Sequence, residues 1–243
     1  MLDLMLCQCR KSSDPLLAYQ MATAENPANA GPGSGGRRRK RSIAYFDKLW
    51  APGRTLRISF TNEPETALKQ AIFEAACQWL PYVNLRFELV EDDSDSEIKI
   101  FTGGAPSFNY SMFGTDALTS ADASMVLGVT PDMDNFEHTV IHEFGHALGA
   151  EHEHQHPDAD IPWDIPKVYA WYAAKGHSKA VVDDAVLSRI DTALVRKTPY
   201  DRHSIMHYPV PQELTLGDWE IGINTRISEK DKQFMRLAYP SRL

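Results

Sequence analysis

Residues 142–152 read HEFGHALGAEH. His142 and His146 are four residues apart, so on a helix both imidazoles leave the same face about one turn apart. That separation allows two ring nitrogens to bind one zinc ion at roughly 2.0–2.1 Å. Glu143 follows the first histidine directly, which puts a carboxylate beside the metal without making it a ligand. The spacing therefore predicts a zinc site built on a helix.

A third ligand is expected just after this helix. Gly149 comes three residues after His146, where a glycine can end a helix in the left-handed conformation at little steric cost. The chain then turns back, and His152 can supply a third nitrogen. Three protein ligands leave a tetrahedral zinc ion one open position, which is typical of a catalytic site. We predict one Zn²⁺ per chain on these three histidines.

The neighbouring histidines offer a competing register. His138 also precedes His142 by four residues, but no glutamate follows it directly, and no glycine and third histidine follow at the right distance. We expect the remaining histidines of this region to be solvated or to contact the ligand side chains without binding the metal. These are His138, His154 and His156.

A second motif, SIMHY, occupies residues 204–208. The two motifs together resemble the metzincin superfamily of zinc endopeptidases, whose H-E-x-x-H-x-x-G-x-x-H signature is followed by a methionine turn. Glu153, directly after the third histidine, and Tyr208, two residues after Met206, resemble the astacin family within it. The resemblance extends over roughly residues 43–240.

The resemblance implies an α+β fold in which a twisted, mixed five-stranded sheet and helices form two lobes that flank a zinc cleft. The apolar pattern agrees, since it predicts strands at 55–60, 85–90, 97–101 and 124–129. An edge strand is expected within 103–118, and by resemblance it pairs with an extended peptide substrate.

Helical patterns fill the rest of the chain. They cover residues 65–80, where Cys77 is expected to be a buried small hydrophobe, and residues 166–174 and 179–190 beyond the zinc motif. The last helix is predicted to start at Ser228, with Asp231 completing a capping box.

The activity implied by the resemblance is hydrolysis of internal peptide bonds in polypeptides. Glu143 corresponds to the general base, and Met206 to the methionine beneath the zinc site. Tyr208 corresponds to the tyrosine that donates to the carbonyl oxygen, with Tyr200 and Tyr110 as second choices. In astacins the residue at the Glu153 position anchors the amino terminus of the mature chain; an exposed loop glutamate is the alternative here.

Two other functions fit parts of this pattern. A catalytically inactive, metal-binding interaction module would not need the carboxylate of Glu143. An intracellular zinc hydrolase of another class would suit a domain with a single cysteine, Cys77, and an amino terminus whose short apolar stretch, interrupted by Asp3, is a weak secretory signal. Such enzymes, however, usually take a more distant glutamate as third ligand. We therefore favour the endopeptidase.

Charge and hydropathy limit the partners. The chain has a net charge of −8, but residues 1–41 hold seven basic and three acidic residues, so the remainder has 18 basic and 30 acidic residues and a charge of −12. A domain this acidic repels phosphate, which argues against nucleic acid as a partner and leaves a polypeptide. No stretch is long and apolar enough to span a membrane.

The first 41 residues are predicted to be a disordered leader or pro-segment, followed by a catalytic domain at 42–243. The segment 25–41 is rich in Pro, Gly and Asn and ends in five basic residues, Arg37 to Arg41. This run favours cleavage by a processing protease after Arg41, although a nuclear-localisation patch or a solvated charge run has the same composition. We expect secretion, with a cytoplasmic location as the alternative.

The leader is also expected to keep the enzyme latent. The family's F-x-G-D motif, whose aspartate binds zinc in astacin precursors, is absent before Arg41. Cys7, Cys9 or Asp14 could reach the metal instead, and we rank the cysteines first because a thiolate is the better zinc ligand. An inert tail is the alternative.

Overall fold

Five strands form one mixed sheet in the computed structural model, which describes residues 9–30, 47–91, 95–190 and 198–241. The strands are β1 (Thr55–Phe60), β2 (Arg86–Leu89), β3 (Ile98–Thr102), β4 (Tyr110–Ser111) and β5 (Met125–Leu127). Their spatial order is β2-β1-β3-β5-β4, and only β4 pairs in the antiparallel sense. The predicted five-stranded mixed sheet is confirmed, including its edge strand within 103–118.

The sheet buries one face because its apolar residues alternate. Leu56 and Ile58 of β1 are buried, and Ile58 lies in register with the buried Ile98 of β3. Helix α2 (Thr66–Cys77) lies against the same core through Ile72 and two alanines. The prediction that Cys77 is buried is wrong: it is the last residue of the helix and is only half-buried.

Helix α3 (Phe136–Ala147) carries the zinc motif and lies in the centre of this core. Three aromatic side chains from distant parts of the chain donate to its carbonyl groups or to the residue after it. Trp79 Nε1 donates to Ile141 O (2.9 Å), Trp50 Nε1 to Ala147 O (2.8 Å) and the Tyr239 hydroxyl to Leu148 O (2.8 Å). The last two acceptors are carbonyls that a helix end leaves without an intrahelical partner, so these bonds fix the position of α3.

Beyond the zinc motif the chain forms a second lobe of short elements. It contains α4 (Ile165–Ala173) and α5 (Lys179–Val182), with two small apolar clusters of its own, and the last helix, α6 (Glu229–Ala238), packs on the main core through Phe234 and Met235. The predicted helix over 179–190 is shorter, since α5 passes into a single π-type turn that ends at Leu187. The capping box at Ser228 and Asp231 is confirmed. None of the helices in the described ranges has the length and apolarity needed to cross a membrane.

The predicted disorder of the leader is wrong for residues 9–30. Asp14 caps helix α1 (Pro15–Glu25), which buries Ala18 and Ala22, and a 3₁₀ turn follows at Pro27–Ala30. The amides of Asn26 and Asn29 both donate to Leu49 O. A composition argument misses this order, because it depends on polar side chains that find buried partners elsewhere. The basic run at 37–41 lies outside the described residues.

Gly114 tests the packing beneath the leader. It has a φ of +50°, and an added Cβ would overlap the backbone oxygen of Lys48. Because the overlapping oxygen belongs to the backbone, relieving the overlap would require the backbone to shift. We expect Gly114→Ala to lower the free energy of unfolding by about 1–3 kcal/mol or more, measured by urea titration. Gly222→Ala is the matched control, since nothing lies within 4 Å of its added Cβ. Equal stability of the two variants would contradict this account.

Candidate zinc site

The three predicted histidines meet at one point in the cleft. His142 and His146 project from α3, and His152 returns to them from the chain after the helix, so that one nitrogen from each ring lies within 4.8 Å of the other two. The ring centroids are 4.4 to 5.3 Å apart. Among the described residues this is the only cluster of three or more His, Cys, Asp or Glu side chains that could hold a metal ion.

Backbone carbonyls orient two of these rings. His142 Nδ1 donates to Ile205 O (2.8 Å), and His146 Nδ1 donates to Ala150 O (2.7 Å). Because the outer nitrogens carry the protons, the Nε2 lone pairs point inward. His142 Nε2 is buried without a hydrogen-bond partner, and the Nε2 atoms of His146 and His152 are 3.0 Å apart. Converging ring nitrogens of this kind fit a bound cation.

Burial keeps the three rings neutral. It lowers the pKa of His142 to about 4 and the pKa values of His146 and His152 well below the ordinary histidine value. Neutral imidazole is the form that binds zinc, so no proton has to be released at neutral pH.

The turn after α3 is what brings His152 back. Gly149 has a φ of +85°, its N–H donates to His146 O (2.8 Å), and the N–H of Ala150 donates to Gly145 O (2.9 Å). These two bonds form a Schellman motif, which requires a left-handed residue that glycine adopts without strain. Gly149 therefore ends the helix and lets the chain return toward the other two histidines.

Met206 lies directly beneath the zinc helix. It is buried, and a Cβ added to Gly145 would overlap its sulfur, so the helix and the methionine are in close contact. Asp231 holds this turn from below: Ser204 Oγ and Ile205 N donate to its carboxylate (2.6 and 2.9 Å). The sequence identified Asp231 only as a helix cap. No local signal reveals its second partner, which is 26 residues away.

Glu143 and Tyr208 lie close to the ligands. Glu143 is buried on α3 next to His142. The Tyr208 ring is also buried, with its centroid 4.4 Å from that of His152. It stacks on His154 at 4.2 Å with an interplanar angle of 15°, and His154 Nε2 donates to Ala185 O (2.9 Å). His154 thus supports Tyr208 instead of facing solvent.

The other candidates have different partners. The Tyr200 hydroxyl bonds to His207 Nε2 (2.8 Å), and the Tyr110 ring lies on the edge strand. His156 is buried and donates to Thr198 O (2.8 Å), whereas His138 is half-buried one turn before His142. None of these residues belongs to the metal cluster.

Glu153 is buried, so the alternative of an exposed loop glutamate is wrong. Its Oε1 accepts from Asp201 N (2.8 Å), and Asp201 Oδ2 accepts from Ser228 Oγ (2.6 Å). Burial raises the pKa of Glu153 well above its ordinary value, and the carboxylates of Asp231 and Asp201 add to the shift. The three acidic side chains line a small cavity with Lys230.

Comparison with known proteins agrees with this geometry. A family model described as Astacin, a peptidase family, matches residues 42–240. Zinc metalloproteinase nas-11 of Caenorhabditis elegans is 30% identical over 192 residues, covering 74% of this chain and 30% of that protein. Zinc metalloproteinase dpy-31 of Teladorsagia circumcincta is 30% identical over 181 residues, covering 72% and 26%. This chain thus spans less than a third of the length of these two relatives.

Solved structures show the same fold. A structure of myroilysin has a TM-score of 0.78 and 34% identity, and the match covers 83% of this chain and 100% of that one. The hatching enzyme HCE-1, a zinc-protease of Oryzias latipes, has a TM-score of 0.58 over 84% of this chain and 100% of its own, and at 18% identity it shares the fold. With the predicted histidine cluster in place and the family model matched over residues 42–240, the chain belongs to the astacin family of peptidases.

Proposed function

We propose that the protein is a zinc-dependent endopeptidase that hydrolyses internal bonds of polypeptides. The observation that carries this proposal is the convergence of three imidazole nitrogens beside the buried carboxylate of Glu143. When bound, zinc supplies Lewis acidity that acidifies water and polarises a carbonyl group. The substrate chain would lie along the edge strand β4 by strand addition.

The residues around the metal have separate tasks in this proposal. Glu143 accepts a proton from the attacking water and passes it to the departing amine. The Tyr208 hydroxyl donates to the carbonyl oxygen as negative charge develops there, and His154 orients its ring through their stacking contact. Met206 supports α3 through Gly145, and Gly149 turns the chain toward His152.

Glu153 has a supporting task. Together with Asp201 and Ser228 it links the residue after His152 to the start of α6, whose Asp231 holds the methionine turn. We infer that this network fixes the third ligand relative to Met206. Glu153, Asp201 and Asp231 line the small cavity described above. The family resemblance puts the amino terminus of a mature chain there, and Ser42 would be that terminus after cleavage at Arg41.

Both alternative functions have less support. A binding-only module has no use for a buried carboxylate beside the metal, and a hydrolase of another zinc class would not combine the third histidine with the methionine turn. We further propose that the protein is secreted as a precursor, on the basis of the basic run that follows the leader.

The leader reaches the cleft in a way that supports latency. Arg10 N donates to Ser111 O (2.9 Å) and Phe113 N donates to Arg10 O (3.1 Å), so the leader pairs with the chain at the end of β4. Burial raises the pKa of the neighbouring Cys9 thiol well above its ordinary value, and Glu151 and Glu143 add to the shift. The charges of these two carboxylates, one of them the proposed general base, therefore reach the thiol.

The described residues favour one of the three proposed blocking residues. Cys9 directly precedes the Arg10 backbone that pairs with the end of β4, whereas the Asp14 carboxylate is used as the cap of α1, where it accepts from Leu16 N and Leu17 N. Cys7 lies outside the described residues. We propose that Cys9 is the side chain that blocks the metal in the precursor.

The metal site can be tested by single substitutions. We expect His142→Ala, His146→Ala and His152→Ala each to remove zinc and peptidase activity, measured by metal analysis of the purified protein and by casein digestion. Because His138 lies outside the cluster, His138→Ala should keep zinc close to one ion per chain. Loss of zinc in the His138 variant, with zinc retained in the His152 variant, would show that the third ligand is assigned wrongly.

Chemistry and metal binding can be separated at Glu143. Glu143→Gln should retain zinc but lose several orders of magnitude in kcat/KM, because the proton carrier is gone while the ligands remain. Tyr208→Phe should cost less, about tenfold to a thousandfold, as expected for one lost donor. Unchanged turnover of a peptide substrate by either variant would refute the role assigned to that residue.

Latency can be tested on the full chain. Cys9→Ala should increase the specific activity of the uncleaved protein on a peptide substrate by on the order of tenfold or more, since the unblocked state becomes more populated. Cys77→Ala is the control, because that thiol is on α2, away from the cleft. Equal activity of Cys9→Ala and wild type would mean that the leader does not act through this thiol.

A further inference from the structure

Two adjacent basic residues of the leader, Arg10 and Lys11, lie along the cleft, and each contacts a different kind of binding group. The Arg10 guanidinium carbon is 3.9 Å from the centroid of the Tyr110 ring and 5.9 Å from that of Phe108. These two rings meet edge to face at 5.7 Å, and Phe108 is 45% exposed. An exposed aromatic pair of this kind attracts a cation to its faces.

Lys11 contacts a buried carboxylate. Its Nζ is 3.4 Å from Glu151 Oε1, and the Glu151 side chain is only 5% exposed, compared with 49% for Lys11. No second ion pair to Glu151 occurs in the described ranges of the chain, and the nearby Lys48 is already paired with Asp116. A buried carboxylate that loses its cation is strongly unfavourable, so Glu151 favours a positive charge at this place.

One binding group lies on the edge strand of the sheet, and the other directly adjoins a metal ligand in the chain. Tyr110 belongs to the edge strand β4, and Glu151 directly precedes the ligand His152. The leader's backbone forms a parallel bridge to this edge through hydrogen bonds with Ser111 and Phe113. A substrate that replaces the leader therefore meets the same aromatic pair and the same carboxylate at neighbouring positions.

We propose that the cleft selects substrates with two adjacent basic residues close to the scissile bond, one held by the Phe108–Tyr110 ring pair and the other by Glu151. This inference rests on the proposed peptidase function. The charge of −12 on residues 42–243 acts in the same direction, because it attracts basic polypeptides to the domain. An apolar segment could cover the ring faces but would leave the buried carboxylate of Glu151 without a cation.

The test uses the zinc-loaded full chain, activated by limited digestion of the leader with chymotrypsin that is afterwards inactivated. Fluorogenic peptides of one scaffold carry Arg-Lys, Ala-Ala or Glu-Glu at each adjacent pair of positions on both sides of the cleaved bond. We expect the Arg-Lys peptide to exceed the Ala-Ala peptide in kcat/KM by about tenfold to a hundredfold at one pair of positions. A Glu143→Gln preparation treated identically reports any contaminating protease.

Variants assign the preference to the two groups. Glu151→Gln should bring the Arg-Lys to Ala-Ala ratio to within about threefold of one, since it removes the charge and keeps the shape. Phe108→Ala changes an exposed side chain that the fold does not require, and it should lower the ratio in the same assay. Glu213→Gln, an exposed glutamate outside the cleft, should keep the wild-type ratio.

The outcomes separate the inference from the function on which it rests. Casein digestion with equal rates on all peptides overturns the inference and leaves the peptidase standing. A basic preference that persists in both Glu151→Gln and Phe108→Ala also overturns it. Failure to digest either casein or peptides overturns the proposed function and the inference together.

Discussion

The convergence of three uncharged imidazoles on one buried point is the constraint on which the rest of the structure depends. The inner nitrogen of His142 is buried without a hydrogen-bond partner, and those of His146 and His152 are only 3.0 Å apart. Such an arrangement is unfavourable unless a cation occupies it, so metal binding and the stability of the cleft are coupled. The carbonyls of Ile205 and Ala150 fix which nitrogen faces inward.

The two lobes meet at this site, and hydrogen bonds beneath it hold them together. Helix α3 is held by indole donors from Trp50 and Trp79, which precede it in the chain, and by the phenol of Tyr239 at the end of α6. The second lobe contributes the methionine turn, which Asp231 binds through Ser204 Oγ and the N–H of Ile205. Since the carbonyl of that same Ile205 orients His142, a shift of α6 is transmitted directly to a ligand.

The leader pairs with the edge strand along which we propose that the substrate lies. Its thiol is affected by the charge of Glu143, and its basic side chains contact aromatic and acidic groups. Farther along, Asn26 and Asn29 bind the carbonyl of Leu49, so the segment is held at both ends. Inhibition and recognition thus use the same surface in this proposal.

What the sequence by itself determined was the local chemistry: the register of His142, His146 and His152, the glycine turn, the cap at Ser228 and the strands of alternating apolar residues. These follow from neighbours within about one helical turn or one strand, where spacing dictates geometry. Only the tertiary structure decided the second partner of Asp231, the burial of Glu153, the support of Tyr208 by His154 and the order of residues 9–30. Each depends on a hydrogen bond or ring contact to an element that the local pattern does not specify, because polar side chains carry no periodic signal of where their buried partners lie.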